Sequence, residues 1–353
     1  MDLIIKPTEA CNFKCSFCSS TAIDPNNAGL LDLDYVFRFL KRYPDTNSLI
    51  INGGDPLMVD PSYYWKIIEH LDEHDYPAHI SFTTNLWPFY VKPEKWVDLF
   101  NHPRMGICTS FQYGGGRLKG DFTEFTEEDF WAVSDAMLKY CGERPDFIAV
   151  LTDMNDYRAL DNVKLAKEMN VECKLNYAMA SGVQGSTYRL SKIYQLYLDV
   201  YDAGLHPWEF NTKQMMRRLK RGFTTCPQNR NCDEGIRAFN PGGDYYSCGS
   251  LADDLDYPID FDEEMNGPMQ TPLQNDPSIQ TMKMACYTCP MFEICNGCKK
   301  TVRDMKREGT VEAHCKQMKG MAPRILELNG MNPNGVTPYV DESIDQPDLL
   351  LQL

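Results

Sequence analysis

Three cysteines near the N-terminus constrain this chain more than any other feature. Cys11, Cys15 and Cys18 fall within eight residues, directly after the apolar run Leu3-Ile4-Ile5, which predicts a β-strand. Three thiolates can hold three irons of a 4Fe–4S cluster, whereas four cysteines would complete its protein ligation. The fourth iron would then keep an open position at which chemistry can take place. A zinc knuckle or three buried thiols is the alternative interpretation.

The spacing of these cysteines carries a resemblance to a known family. The pattern C-x3-C-x2-C, with the aromatic Phe17 before the last cysteine, resembles the signature of the radical S-adenosylmethionine (AdoMet) enzymes, the radical SAM family. The resemblance implies that the open iron chelates the amino and carboxylate groups of AdoMet. One-electron reduction would then cleave AdoMet to a 5′-deoxyadenosyl radical. Phe17 is expected among the residues that contact this cofactor.

Length, composition and charge limit the setting in which the chain works. Its 353 residues can hold a large catalytic domain and a smaller one, and 43% of them are hydrophobic. There is no run of eighteen apolar residues and no signal peptide, which predicts a cytoplasmic protein without a membrane partner. Fourteen cysteines in such a chain favour metal binding over disulfides. The net charge of −15 argues against a nucleic-acid partner.

Short apolar strands alternate with amphipathic helices up to about residue 205, which predicts βα units and a parallel sheet. The predicted strands are Leu3–Lys6, Ser48–Asn52, His79–Thr83, Gly106–Phe111, Phe147–Thr152 and Val171–Asn176. The predicted helices are Asp32–Tyr43, Pro61–Leu71, Pro93–Phe100, Glu127–Cys141, Tyr157–Met169 and Ser191–Ala203. Six βα units are too few for an eight-stranded barrel, and they match the partial, TIM-like (β/α)6 barrel of the radical SAM family. Functional residues should then cluster at the C-terminal ends of the strands.

The predicted strand ends supply candidate AdoMet contacts. Gly53-Gly54-Asp55-Pro56 resembles the GGEP motif of the family, with Asp in place of Glu, and the resemblance implies contact with the AdoMet amino group. By itself this segment would be an ordinary turn. The further candidates at the ends of the next strands are Thr84, Asn85, Ser110, Gln112 and Asn155. For such single polar residues a plain capping role is the alternative.

Eight cysteines follow in the C-terminal part of the chain, where helical periodicity gives way to Cys, Gly, Asp and Pro. With Gly243 five residues before Cys248, the pattern resembles the SPASM domain, except for two residues instead of three before Cys298. The resemblance implies two fully ligated auxiliary 4Fe–4S clusters. The first cluster would be held by Cys226, Cys232, Cys248 and Cys298, and the second by Cys286, Cys289, Cys295 and Cys315. A pair of zinc sites is the alternative.

These patterns predict the fold class and the division of the chain. We expect an α/β radical SAM partial barrel in residues 1–205 and a small cysteine-rich SPASM domain with a linker helix in residues 206–331. An extended tail should occupy residues 332–353. The acidic run between Asp253 and Glu264 reads as a solvated loop, with docking of a basic substrate segment as the alternative.

The resemblance implies an enzyme that forms the 5′-deoxyadenosyl radical and removes a hydrogen atom from a substrate. A peptide, modified by crosslinking, epimerisation or oxidation, is the leading substrate class, as in maturases with this domain. The alternatives are a small-molecule radical SAM enzyme and a non-catalytic iron–sulfur electron carrier. The expected partners include an external one-electron donor such as flavodoxin or ferredoxin. Because ten residues precede Cys11, leader recognition would need a separate leader-binding protein or another surface.

One position argues against a particular reaction within this group. Sulfatase maturases that form formylglycine resemble the chain around Cys248 but place an Asp directly after that cysteine, where it acts as a base. Here the next residues are Gly249 and Ser250. We therefore expect a reaction other than typical formylglycine formation. No catalytic side chain is identified from the sequence.

Overall fold

Six parallel strands in chain order form the centre of the computed structural model, which describes residues 1–22, 29–185, 187–221, 232–287, 289, 295, 298–328, 331–332 and 335–336. They are β1 (Asp2–Ile5), β2 (Ser48–Ile51), β3 (His79–Thr83), β4 (Met105–Ser110), β5 (Asp146–Leu151) and β6 (Cys173–Tyr177). Each strand pairs in parallel with its predecessor, so their C-terminal ends share one edge. The prediction of an α/β fold with a partial, six-stranded barrel is confirmed.

Helices fill the connections between these strands. They are α1 (Leu33–Arg42), α2 (Pro61–Glu73), α3 (Trp87–Val91), α4 (Val97–Phe100), α5 (Glu127–Cys141), α6 (Ala159–Met169) and α7 (Leu190–Asp202). Local sequence explains their ends: a Thr126–Asp129 capping box starts α5, and Gly142, with φ of 88°, ends it. The sequence missed α3, because five residues with a proline at the second position show no helical period.

The sheet continues into the C-terminal part of the chain. β7 (Ile236–Phe239) pairs in parallel with β1, and β8 (Tyr245–Tyr246) and β9 (Pro258–Ile259) extend the sheet in antiparallel fashion. The turn between β7 and β8 contains Gly243, with φ of 89°. The sheet therefore crosses the domain boundary predicted near residue 205, and the boundary itself stays a prediction.

A buried ion pair anchors this extension. Arg237 of β7 donates from Nε and from a terminal nitrogen to the two carboxylate oxygens of Glu264, each at 2.9 Å, and both side chains are fully buried. The hydroxyls of Tyr43 and Tyr245 donate to the same carboxylate at 3.0 Å. Burial of a charge is tolerated when its hydrogen bonds are satisfied in this way.

Helices make up most of the remaining described chain. They are α8 (Phe210–Arg221), α9 (Cys232–Gly235), α10 (Gly249–Asp254), α11 (Phe261–Asn266), α12 (Pro272–Asn275), α13 (Pro277–Tyr287), α14 (Lys299–Arg307) and α15 (Val311–Leu328). A small hairpin of β10 (Met331–Asn332) and β11 (Gly335–Val336) follows, and most of the predicted tail lies outside the described residues. Within the described ranges, no helix combines the length and apolar character needed to cross a bilayer.

Candidate active site

The three N-terminal cysteines line one cavity at the C-terminal ends of the parallel strands. This cavity, here called the triad cavity, has a volume of about 320 Å³ and contains Cys11, Cys15 and Cys18 in its wall. Burial, together with the nearby Asp55 carboxylate, raises the pKa of the Cys11 thiol to about 12. Since thiolates are the metal ligands, iron binding here has to displace the thiol protons.

Backbone hydrogen bonds fix the segment that carries the cysteines. The Lys14 amide donates to the Leu118 carbonyl at 2.7 Å, and the Ser16 amide donates to the Gly116 carbonyl at 2.8 Å. The loop that follows β4 therefore holds the cysteine segment against the cavity. Three side chains converging on one space are a suitable donor set for three irons of a 4Fe–4S cluster.

The two glycines after β2 have a structural role that the motif alone did not reveal. A Cβ atom on Gly54 would lie 2.2 Å from the Ala10 carbonyl oxygen and 2.4 Å from that of Glu9. The Gly54 amide also donates to the Thr8 carbonyl at 3.0 Å. Glycine lets two backbones approach closely. Gly53 and Gly54 both line the triad cavity, and Gly54 permits direct contact with the segment that leads to Cys11.

Asp55 is a buried hydrogen-bond acceptor at the centre of this wall. Its carboxylate accepts from the Thr84 hydroxyl at 2.9 Å and from the Asn85 amide at 2.8 Å. It also accepts from the Leu57 amide at 2.9 Å. Burial raises the pKa of Asp55 to about 6, although these hydrogen bonds act in the opposite direction. Asp55 thus joins the ends of β2 and β3 through its own hydrogen bonds.

Two of the neighbouring predicted residues also make contacts within the protein. The Asn85 side-chain amide donates to Asn12 Oδ1 at 2.8 Å, which connects the end of β3 to the cysteine segment. The Pro56 carbonyl accepts from the Tyr64 hydroxyl at 2.7 Å. Thr84 and Asn85 belong to the wall of the triad cavity, whereas Pro56 does not. Their contact with AdoMet stays a prediction.

Arg117 is a functional candidate that the sequence reasoning missed. It lines the triad cavity, is 6% exposed, and donates to Ser110 Oγ at 2.9 Å. It also donates from two nitrogens to Gln112 Oε1, at 2.7 and 3.1 Å. Its guanidinium lies 5.3 Å from the centre of the Phe17 ring. The run Gly114-Gly115-Gly116 directly before this arginine, after a strand end, was the signal available in the sequence.

Only some of the predicted AdoMet contacts near Arg117 line the triad cavity. Ser110 and Phe17 line the triad cavity. Gln112 does not line it, and its side-chain oxygen instead accepts hydrogen bonds from Arg117. Arg117 brings a positive charge to a space lined by thiols. A buried guanidinium with one side satisfied by neutral acceptors is suited to bind an anionic group.

Asn155 lies beside the triad cavity at the end of β5. Its side-chain oxygen accepts from the Thr152 amide at 2.8 Å, and its side-chain nitrogen donates to the Val150 carbonyl at 3.0 Å. It lines a neighbouring cavity together with Phe17. Both polar atoms of the Asn155 side chain thus bond to nearby backbone, which agrees with the capping alternative. Contact between Asn155 and AdoMet stays a prediction.

The C-terminal cysteines meet in two separate groups. Cys286, Cys289, Cys295 and Cys315 all line one apolar cavity of about 340 Å³. Burial, together with the nearby sulfurs of Cys298 and Cys232, raises the pKa of the Cys248 thiol to about 11, so these three thiols lie near one another. Cys226, the expected fourth member of this group, lies outside the described residues. Both groups have the thiol donors that a 4Fe–4S cluster or a zinc ion accepts.

The residue after Cys248 faces the sheet. Cys248 is the N-cap of α10, and a Cβ atom on Gly249 would lie 3.0 Å from Ile4 Cδ1 of β1. Glycine at this position thus accompanies close packing of α10 on β1. The expectation that no base acts from this position stays a prediction.

The acidic run forms helices and ion pairs. Asp253 pairs with the buried Lys6 at 2.5 Å, and Asp254 pairs with Lys300 at 2.9 Å. Asp256 pairs with Arg303 at 3.0 Å. The expectation of a solvated loop misjudged this segment, because its first part is α10 and its later part is α11. Much of its negative charge is already neutralised, which weakens the alternative of docking a basic peptide segment.

Comparison with known proteins gives a family for the N-terminal part and a fold for the whole chain. Residues 5–114 match the Radical SAM superfamily. No curated protein sequence matches the chain significantly. The solved structure of anSMEcpe with bound AdoMet aligns with a TM-score of 0.69 and 17% identity, over 97% of this chain and 96% of that chain.

Two further solved structures contain peptides. anSMEcpe with AdoMet and the Cp18Cys peptide aligns with a TM-score of 0.67 and 16% identity, over 93% of this chain and 98% of that one. Streptococcus suis SuiB bound to the precursor peptide SuiA aligns with a TM-score of 0.54 and 16% identity, over 86% and 72%. Residues 5–114 are thus similar to the Radical SAM superfamily, and the chain resembles these proteins in fold.

Proposed function

We propose that this chain is a radical SAM enzyme that modifies a peptide, with its reaction centre in the triad cavity. The observation that carries the proposal is the convergence of Cys11, Cys15 and Cys18 on the cavity that also contains Gly53 and Arg117. The cluster and AdoMet, when bound, supply the electron transfer and the radical chemistry. Cys11, Cys15 and Cys18 hold the cluster and leave one iron for AdoMet.

The protein's own part in this reaction is binding and orientation. Arg117, held by Ser110 and Gln112, provides a positive charge for the AdoMet carboxylate. The backbone at Gly53 and Gly54, which lines the same cavity, would bind the AdoMet amino group. Asp55 keeps the ends of β2 and β3 in register through its buried hydrogen bonds. By holding the cofactor in one orientation, these residues would limit the reaction to one position of the substrate.

Replacing Arg117 by Lys tests the assignment of the carboxylate contact. A hydrogen bond to a charged group contributes about 1.5–3 kcal/mol, so Arg117→Lys should raise the Kd for AdoMet about 10- to 100-fold. Lysine keeps the charge but loses the fork that Gln112 and Ser110 orient. The measurement is equilibrium binding of AdoMet to the anaerobically reconstituted protein, with iron content as the control. Unchanged affinity at full iron content would remove Arg117 from the site.

The two C-terminal cysteine groups are proposed to bind auxiliary 4Fe–4S clusters. The shared cavity of Cys286, Cys289, Cys295 and Cys315 supports the second cluster, and the proximity of Cys232, Cys248 and Cys298 supports the first. Anaerobic reconstitution should give about twelve irons per chain and no bound zinc, because each cluster holds four irons. About four irons with stoichiometric zinc would instead show that the C-terminal groups are zinc sites.

The peptide substrate is proposed from the fold. Both anSMEcpe and SuiB were solved with peptides bound, and their folds resemble this chain along most of its length.

We further propose that an external one-electron donor, such as flavodoxin or ferredoxin, reduces the cluster, and that a separate protein binds a leader segment. The location within the cell is proposed to be the cytoplasm.

Deuterium transfer provides the test of the substrate class. The holoenzyme would be incubated anaerobically with AdoMet, reductant and perdeuterated candidate precursor peptides, and the 5′-deoxyadenosine would be analysed by mass spectrometry. A peptide substrate should place deuterium in 5′-deoxyadenosine in proportion to the modified peptide formed. Deuterium transfer from small metabolites, with none from the peptides, would assign the enzyme to small-molecule chemistry.

A further inference from the structure

One side chain connects the triad cavity to the group formed by Cys232, Cys248 and Cys298. Tyr177, the last residue of β6, lines the triad cavity beside the strand ends. Its hydroxyl oxygen lies 3.3 Å from Thr301 Oγ1, and Thr301 Oγ1 in turn lies 2.9 Å from the sulfur of Cys298. The Tyr177 side chain therefore lines the triad cavity, and its hydroxyl is linked through Thr301 to Cys298, a proposed cluster ligand.

Thr301 contacts the sulfur of Cys298 through both its hydroxyl and its backbone amide. The Cys298 sulfur lies 2.9 Å from Thr301 Oγ1 and accepts from the Thr301 amide at 3.3 Å. Cys298 is the N-cap of α14, so the helix start orients the sulfur, and Thr301 is fully buried. The same helix is fixed to the segment after β6, because Lys300 Nζ donates to the Ala180 carbonyl at 3.0 Å. The distance between Tyr177 and Cys298 is thus set by packed elements on both sides.

The chemistry of a metal-bound sulfur fixes the direction of this hydrogen-bond chain. A thiolate that binds iron can only accept hydrogen bonds, so the Thr301 hydroxyl must donate to Cys298. The Tyr177 hydroxyl must then donate to Thr301 Oγ1. Donors to cluster sulfurs favour the more negative, reduced state of a cluster and so raise its reduction potential.

We infer that Tyr177 is a positioning residue that sets the reduction potential of the cluster bound through Cys298 and couples that cluster to the triad cavity. The inference rests on the proposed auxiliary cluster at Cys232, Cys248 and Cys298. Tyr177 has its ring in the wall of the triad cavity and its hydroxyl on Thr301, which contacts the proposed cluster ligand Cys298. A change at the hydroxyl should therefore be seen at the cluster.

Tyr177→Phe in the full-length holoenzyme tests the inference, with potentials followed by electron paramagnetic resonance during a redox titration. The variant keeps the ring and loses the donor, so one auxiliary potential should become more negative. The signal that responds to added AdoMet, which reports the triad cluster, should keep its potential. Thr301→Val should shift the same auxiliary signal in the same direction, and Thr301→Ser should restore it, because serine keeps the hydroxyl.

Tyr188→Phe is the matched control. Tyr188 is buried, and its hydroxyl donates to Asp156 Oδ2 at 3.1 Å, so the substitution makes the same chemical change at a different contact. All potentials should stay unchanged in this control. Full iron content with no auxiliary shift in Tyr177→Phe overturns the inference alone. Absence of auxiliary iron in the unmodified protein overturns the proposed auxiliary cluster itself.

Discussion

Cys15→Ala is expected to abolish the reductive cleavage of AdoMet, whereas Cys289→Ala should retain part of it. Cys15 lines the triad cavity, and with only three cysteines available the loss of one ligand leaves the cluster without stable attachment. Cys289 lines the separate cavity of about 340 Å³ formed by the other cysteine group. Its loss should stop product formation but leave some uncoupled formation of 5′-deoxyadenosine.

The measurement is 5′-deoxyadenosine released under anaerobic reducing conditions, compared with the iron bound per chain. Cys15→Ala should lose about four of about twelve irons together with all AdoMet cleavage. Cys141→Ala provides the control, since Cys141 ends α5 and lines neither cysteine cavity. AdoMet cleavage by Cys15→Ala at the unmodified rate would show that the triad has been assigned wrongly.

Cys289→Ala requires a check on folding. A small metal-dependent segment can unfold when its metal is lost, so a complete loss of activity would have an ambiguous origin. Circular dichroism and the AdoMet-dependent change of the triad cluster signal separate the two cases. A folded Cys289→Ala protein that binds AdoMet and forms no 5′-deoxyadenosine would contradict the separation of the two sites.

The sequence predicted the parallel strands well, and the reason is physical. The strands are short, largely apolar runs in which every second residue is buried, as in Ser48–Ile51 and Asp146–Leu151, and they lie between helices with clear periods. The cysteine triad was equally readable, because its ligands are neighbours in the chain. The strands, the helices and the position of the cavity could therefore be predicted from local sequence patterns.

Features that depend on distant partners were not predictable in the same way. β7 carries Arg237 in its interior, which argues against a buried strand until Glu264, 27 residues later, neutralises it. Arg117 looks like a loop residue, and its burial depends on Ser110 and Gln112. Tyr177 resembles an ordinary strand residue, and its link to Cys298 depends on the packing of α14. Each of these roles depends on tertiary contacts.

Gly54→Ala is expected to disrupt the triad cavity as a whole. The added Cβ atom would lie 2.2 Å from the Ala10 carbonyl oxygen, and the obstacle is backbone, which cannot rotate away as a side chain can. Overpacking of this kind typically costs about 1–3 kcal/mol, and relief requires the segment before Cys11 to move. We expect lower thermal stability, loss of the triad iron and loss of AdoMet cleavage in the same variant.

Gly320→Ala is the matched control for this variant. Gly320 lies inside α15 with no atom within 4 Å of an added Cβ atom, so alanine should stabilise the helix by about 0.5–1 kcal/mol. Thermal unfolding and iron content would be measured for both variants and the unmodified protein. If Gly54→Ala keeps full triad iron and unchanged AdoMet cleavage, the close contact between the end of β2 and the cysteine segment does not support the cavity. The family resemblance of the Gly53-Gly54 motif would then reflect ligand contact alone.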